Sequence, residues 1–338
     1  MMRTIVTALT LALVAVASVA SADTPPPVWS RARDPGAKDR WALHLEVRKL
    51  LDESRTSIGV SPAFPSFAEF QVAHARDLLE RANVMEGEDP VLLFDLGMAC
   101  ERLERHERAV VAFRRGLSLA PNHPAAPEAL LTLAVALAKL DRPDDERGTY
   151  LAFLEQSTDP DARGVALYNF AEAEMRLGRL PEAIRGYREA MGQGRSMART
   201  GTTYVLALWG LAVALDRYGD TSAAEREADR AAVQLDPWDH VIDNHDTVFF
   251  VPAYERHWYL GLGAAARARA AGNDARAALR YAQKAESHWT EYVLRATPKD
   301  RWKALAERHL TAAKRERQRL EAKVRALPPV RASDEDVN

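Results

Sequence analysis

Apolar residues recur at intervals of three and four along most of this chain, with polar residues between them. In the segments Trp41 to Leu51 and Ala68 to Ala82 the apolar side chains fall on one face of a 3.6-residue period. A loop that contains two prolines, Ser61 to Ser66, separates the two segments. The pattern therefore predicts helices joined by short connections.

The same spacing of large and small residues returns along the chain. In the 34 residues from Pro90 to His123, Leu96 and Phe113 are large, whereas Gly97, Ala109 and Gly116 are small. Small residues let two antiparallel helices approach closely, and the large ones fill the space between them. Further segments repeat this phase from Leu130, Leu167, Leu208 and Tyr259. In the second repeat, which starts at Leu130, Glu146 stands where a small residue is needed.

The pattern resembles the tetratricopeptide repeat. The resemblance implies an all-α fold, a right-handed α-solenoid of stacked antiparallel helix pairs with a long C-terminal capping helix. An ordinary helical bundle with alanine-rich packing is the alternative. The expected organisation is an N-terminal helical unit at 37–89, repeats one to four at 90–237, an ordered insert at 238–253, repeat five at 254–295 and a capping helix at 297–327.

The chain begins with the pattern of an export signal at residues 1–22. Arg3 precedes an apolar run from Ile5 to Ala20, and Ala20-Ser21-Ala22 has the small residues of a cleavage site. We expect cleavage after Ala22 and a location in the periplasm or cell envelope of a Gram-negative bacterium; an uncleaved anchor is the alternative. Residues 23–36 are expected to form a flexible leader and residues 328–338 a disordered tail.

The charge balance gives no sign of a nucleic-acid partner, because 46 basic residues face 48 acidic ones. No segment after the signal is expected to insert stably into a membrane. The single cysteine, Cys100, leaves no intramolecular disulfide and is expected to act as a small apolar side chain in the core.

The resemblance implies a concave groove that binds a protein or peptide partner, and no cofactor or catalytic residue. The groove residues expected from the repeat phase are Phe94, Met98, Leu131, Tyr168 and Trp209, followed by a row of cations at one repeat position, Arg102, Lys139, Arg176 and Arg217. These cations either form a track for an acidic partner or offset the dipole at the end of each first helix. The family's paired Lys and Asn for a C-terminal carboxylate are incomplete, because Asn169 matches but the neighbouring cations do not.

The stretch from Asp236 to Asp246 concentrates carboxylates and imidazoles. Candidate metal ligands are Asp236, His240, Asp243 and His245, but neither a helix nor a strand gathers both histidines on one side. A metal-binding or enzyme-accessory protein that uses this insert is the alternative function. The preferred interpretation is a structural insert whose Phe249 and Phe250 fill a gap between repeats four and five.

The C-terminal segment is strongly basic. Thr297 and Pro298 are expected to begin its helix, and the stretch from Lys299 to Arg325 contains ten basic and four acidic residues. A solvated outer face of a capping helix is the preferred interpretation, and a surface that builds a homo-oligomer is another. The sequence as a whole predicts a non-enzymatic interaction scaffold of the cell envelope.

Overall fold

The computed structural model describes residues 36–57, 65–193, 202–234 and 249–328. The described residues form helices, which divide into two compact units between Tyr204 and Val205. The α-helices are α1 (Ala37–Ser57), α2 (Pro65–Arg81), α3 (Pro90–Arg102), α4 (His106–Leu119), α5 (Ala126–Lys139), α6 (Pro143–Gln156), α7 (Pro160–Arg176), α8 (Leu180–Ala190), α9 (Thr202–Tyr218), α10 (Thr221–Gln234), α11 (Arg256–Ala270), α12 (Ala275–Arg295) and α13 (Lys303–Arg325).

Unit 1 consists of successive helix pairs. Helices α1 and α2, α3 and α4, α5 and α6, and α7 and α8 pack against each other within pairs, and the second helix of a pair packs on the first helix of the next. The first helices α1, α3 and α5 also touch in series. The predicted fold class is thereby confirmed, because each pair buries its apolar face against its neighbours.

Glycines let α3 and α4 cross closely. A Cβ atom added to Gly97 would lie 2.6 Å from Cε1 of Phe113, and one added to Gly116 would lie 2.6 Å from Cε1 of Phe94. Both aromatic side chains are buried. The small residues of the repeat pattern therefore serve the close approach that was expected of them.

Local sequence explains where the helices begin and turn. Asp89 caps α3 by accepting hydrogen bonds from the amides of Val91 and Leu92, at 3.0 and 3.2 Å, ahead of Pro90 in the first helical position. The turns between paired helices contain a residue in the left-handed region, and these residues are Glu104, Asp141, Gly178 and Gly219. The same turn thus recurs in each of these pairs.

Unit 2 contains α9 from Val205 onward, α10, α11, α12 and the terminal helix α13. Helix α11 packs on α10 and α12, and α13 packs along α12. Trp209 of α9 lies on Gly263 of α11, where an added Cβ atom would be 3.1 Å from the indole Cη2. A second indole, that of Trp289, covers Gly261 in the same way.

The C-terminal helix begins later than predicted. Residues 297–302 form turns, and α13 starts at Lys303, because Asp300 accepts a hydrogen bond from the amide of Trp302 at 2.7 Å and is held by tyrosines of unit 2. Repeat five likewise opens with a 3₁₀ turn, Ala253–Glu255, ahead of α11. In α13 the buried residues are Ala306 and Leu320.

Two further features bear on the expectations. Cys100 is buried and unpaired, and burial raises the pKa of its thiol, as expected for an unreactive core side chain. Within the residues that the structure describes, no helix has the length and apolar character to cross a bilayer.

Candidate functional site

The row of cations joins neighbouring repeats. Arg102 donates from Nη1 to the carbonyl oxygen of Leu51 at 2.5 Å and to Oγ of Ser54 at 3.1 Å, at the end of α1. Lys139 bonds to Glu101 near the end of α3 at 3.1 Å, and Arg176 reaches the carbonyl of Ala138 near the end of α5 at 3.5 Å. Arg102 and Arg176 therefore meet carbonyl groups near the C-terminal end of the preceding first helix, whereas Lys139 pairs with a carboxylate there. These contacts join each cation to the previous repeat and differ from both interpretations, since the dipole was expected to be that of the cation's own helix.

Arg176 also explains the unusual residue of the second repeat. Its guanidinium forms an ion pair with Glu146, whose side chain is 2% exposed, and approaches Asp141 at 3.5 Å. Glu146 occupies the position that is small in the other repeats. A buried carboxylate is tolerated there because the next repeat supplies its cation.

Burial corrects most of the apolar groove assignment. Phe94, Met98, Leu131 and Trp209 are at most 6% exposed and form part of the core, so they present no open surface to a partner. Helix pairing and the glycines beneath Phe94 and Trp209 draw these side chains inward. Tyr168 is partly exposed, with its ring 6.0 Å from that of Tyr187, and burial raises the pKa of its phenol.

A polar surface lies across the first helices of unit 1. Arg48 of α1 contacts Sδ of Met98 in α3 at 3.6 Å and Glu128 of α5 at 3.5 Å. On α5, Thr132 and Val135 follow Glu128 at helical spacing and are partly exposed. We call Arg48, Val91, Glu128, Thr132 and Val135 the first-helix face.

A buried acid lies next to this face. Asp95 of α3 is 2% exposed and bonds to Nδ1 of His44 in α1 at 2.6 Å. Burial raises the pKa of Asp95, although the hydrogen bond to His44 opposes that change. The pair ties α1 to α3, and it was not identified from the sequence, because the two residues lie in different repeats and carry no motif.

In unit 2, Arg217 departs from the other cations of its row. It forms an ion pair with Glu255, and its guanidinium lies 4.4 Å from the centre of the Trp258 ring and 5.2 Å from that of Trp302. Burial acts against the charge of Arg217, but the carboxylate of Glu255 together with Tyr292 and Tyr259 outweighs it, so the arginine pKa is raised.

Asp216, the neighbour of Arg217, is also buried. It accepts hydrogen bonds from Nε1 of Trp258 at 3.0 Å and pairs with Nε2 of His309 at 2.9 Å. Trp289 stacks on His309 with ring centres 4.5 Å apart. No hydroxyl or thiol of the described residues takes part in this Asp–His pair, so the arrangement joins α9, α11, α12 and α13 and lacks a nucleophile.

Tyrosines extend this buried polar cluster toward the start of α13. Tyr292 donates to Glu255 at 3.1 Å, and Tyr254 donates to Asp300 at 2.8 Å. Burial, followed by the charge of Glu255, raises the pKa of Tyr292. Of this cluster, sequence patterns had singled out Arg217 alone for a role, because the other members come together only when the terminal helix packs.

The predicted metal ligands Asp236, His240, Asp243 and His245 lie outside the described residues. Elsewhere, in the part of the chain that the structure describes, no group of three or more His, Cys, Asp or Glu side chains is placed to hold a metal. Phe250 packs edge-on against Tyr259 at 5.1 Å, whereas Phe249 is 46% exposed and so does not fill a gap in the core as predicted.

The helix pairs repeat, cross closely at small residues and share a left-handed turn. This arrangement resembles that of tetratricopeptide repeats.

Several solved structures are similar to this chain at low sequence identity. MamA residues 41 to the end from Desulfovibrio magneticus RS-1 are 18% identical, with 57% of this chain and 97% of that chain covered and a TM-score of 0.44. A tetratricopeptide repeat protein from Parabacteroides merdae is 13% identical, with 80% and 99% covered and a TM-score of 0.45. YrrB, described as having an unusual peptide-binding site, is 13% identical, with 68% and 97% covered and a TM-score of 0.41.

No family model and no curated protein matches this chain.

Proposed function

We propose that this protein is a non-enzymatic scaffold that binds a protein or peptide partner along the first-helix face of unit 1. The contacts of Arg48 with Met98 and Glu128 carry the proposal, because they join α1, α3 and α5 into one continuous surface. A surface that spans several repeats can follow an extended or helical peptide.

The chemistry of the face suits a mixed partner segment. Arg48 and Glu128 are 17% and 16% exposed in their side chains, so each offers part of a charged group beside a salt bridge that is already formed. Val91 and Val135 are partly exposed and add apolar contact. A partner with alternating apolar and polar side chains matches this surface better than a purely acidic one, since Arg102, Lys139 and Arg176 already bind neighbouring helices.

The proposed site of action is the periplasm or cell envelope. The support is the signal pattern of residues 1–22, with its Ala20-Ser21-Ala22 sequence. Cell fractionation and mass spectrometry of the mature N-terminus test this location. A mature chain that begins at Asp23 is expected, and a cytoplasmic chain that retains Met1 would contradict the proposal.

Substitutions by arginine test the binding surface. Val135→Arg, alone and with Tyr168→Ala, places bulk and charge on the proposed face and removes the aromatic side chain of the next repeat. Val111→Arg is the matched control, because Val111 is 55% exposed on the second helix α4. Leu151→Arg on α6 provides a second control.

The readout is crosslinking in the native envelope followed by mass spectrometry. We expect partners captured by the wild-type chain to be lost with Val135→Arg and retained with both controls, while circular dichroism shows the same helical content in each. Equal loss with Val111→Arg, or unchanged capture with the double variant, would place the binding surface elsewhere.

A further inference from the structure

Two histidines lie side by side between the paired helices α11 and α12. His257 of α11 and His288 of α12 bring their Nδ1 atoms to 3.3 Å, with ring centres 5.6 Å apart and ring planes 32° apart. His257 is 7% exposed, and His288 is partly exposed at the edge of the pair.

The other nitrogen of His257, Nε2, is buried and has no hydrogen-bond partner among the described residues. Within those residues the ring therefore makes its polar contact through Nδ1. The two Nδ1 atoms are the ones that a ligand between the rings would contact.

The distance between the two nitrogens matches coordination to one metal ion. Bonds from zinc to imidazole nitrogen are about 2.0–2.1 Å long, so two nitrogens 3.3 Å apart subtend an angle of about 104–111° at a shared ion. This angle is close to tetrahedral. We propose that His257 and His288 form a two-imidazole site for a divalent transition metal of the zinc class, which clasps α11 to α12.

The remaining ligands would be water or a nearby carboxylate. Glu291 lies one turn beyond His288 on α12 and interacts electrostatically with both imidazoles. It accepts a hydrogen bond from Nε of Arg295 at 2.8 Å, and no third side chain of the described residues completes the pair as it stands. The structure therefore assigns two protein ligands, with open positions for solvent.

The type of ligand, and not the local charge, sets the metal class. Arg256 and Arg295 face His257 together with the single anion Glu291, so attraction for a dication comes from the imidazoles and not from the surrounding field. Imidazole favours zinc, cobalt, nickel and copper, whereas magnesium and calcium prefer oxygen ligands. Burial and then His288 lower the pKa of His257 to about 4, so the ring is neutral, as a ligand must be, at neutral pH.

The test uses the full mature chain and titrates it with Zn²⁺ by calorimetry and with Co²⁺ by visible absorption. We expect one zinc ion per pair, a cobalt spectrum of a low-coordinate nitrogen site, and no response to Mg²⁺ or Ca²⁺. His288→Gln should weaken zinc binding at least about tenfold while the helical content is unchanged, because one of two protein ligands is lost. His257→Gln should act in the same direction.

The control removes the other histidines that the sequence marked as candidate ligands. In the His240→Ala, His245→Ala variant the titration assigned to the pair should persist, with the same affinity. Zinc binding that is unchanged in His288→Gln, zinc binding that disappears only in this control, or an absence of binding by the folded wild type would each overturn the proposal. Because His288 is partly exposed, its variant decides the question even where His257→Gln does not fold. The outcome is independent of partner binding by unit 1.

Discussion

The ion pair between Glu146 and Arg176 offers a direct measure of how the repeats are joined. Arg176→Met removes the guanidinium but keeps much of the apolar stem, so Glu146, 2% exposed, is left in the core without its cation. The contacts of Arg176 with Asp141 and the Ala138 carbonyl disappear as well. Removing one partner of a buried pair costs roughly 3–5 kcal/mol.

The double variant separates the pair from its surroundings. Glu146→Ala restores the small residue that the repeat carries at this position elsewhere, and combined with Arg176→Met it leaves no unpaired buried charge. Replacing both members of a buried ion pair by apolar residues is often neutral or stabilising. We therefore expect the double variant to lie within about 1 kcal/mol of the wild type, well above Arg176→Met alone.

The assay is urea unfolding of the full chain, with hydrogen exchange of α6 and α7 to locate the change in unit 1. A positive coupling energy of roughly 2–4 kcal/mol between the two sites is expected from these values. The reasoning is refuted if Arg176→Met unfolds at the wild-type urea concentration, or if adding Glu146→Ala brings no recovery.

Three other predictions follow from the same structure. Gly97→Ala should destabilise the chain by about 1–3 kcal/mol, because the added Cβ atom overlaps Phe113. Gly148→Ala on α6 should stabilise it by about 0.5–1 kcal/mol, because a Cβ atom there meets nothing within 4 Å. Thermal unfolding of the two variants and the wild type measures both effects. The free energy of unfolding of the metal-free chain should fall by up to roughly 3 kcal/mol as the pH falls from 6.5 to about 4. The reason is that the folded pKa of His257 lies below its ordinary value, so the unfolded state binds the extra proton. Urea unfolding at several pH values should show a weaker dependence on pH for His257→Gln. Asp216→Ala should lower the free energy of unfolding by about 1–3 kcal/mol and speed hydrogen exchange in α13, because Nε1 of Trp258 loses its acceptor and His309 loses its partner. Unchanged exchange in α13 would contradict this role of Asp216.

The helix pairs were predictable because they depend on local periodicity. Leu96, Gly97, Ala109 and Phe113 recur at offsets that place them at helix crossings, and the structure buries all four. The spacing alone did not show which aromatic side chain enters which glycine gap. Gly116 receives Phe94, so a residue assigned to the groove by its repeat position belongs to the core.

The terminal helix shows the limit of capping signals. Thr297 and Pro298 form a good local start, but the side chain of Asp300 organises a turn and α13 begins at Lys303. Asp300 also accepts hydrogen bonds from Tyr254 and Tyr292, which belong to segments outside this turn. Local preference was overruled because several tertiary hydrogen bonds favour the turn.

The sequence by itself determined the all-α class, the antiparallel helix pairs and the burial of Cys100, because helical periodicity and residue size act over one or two turns. Tertiary structure alone decided which charges are available. Arg102, Lys139, Arg176 and Arg217 share one offset in the sequence, yet three of them bind the preceding first helix and Arg217 binds Glu255. The meeting of His257 with His288 was decided in the same way. Such contacts depend on the distance between atoms in the folded chain, and residues that lie 31 to 51 positions apart leave no periodic trace of that distance in the sequence.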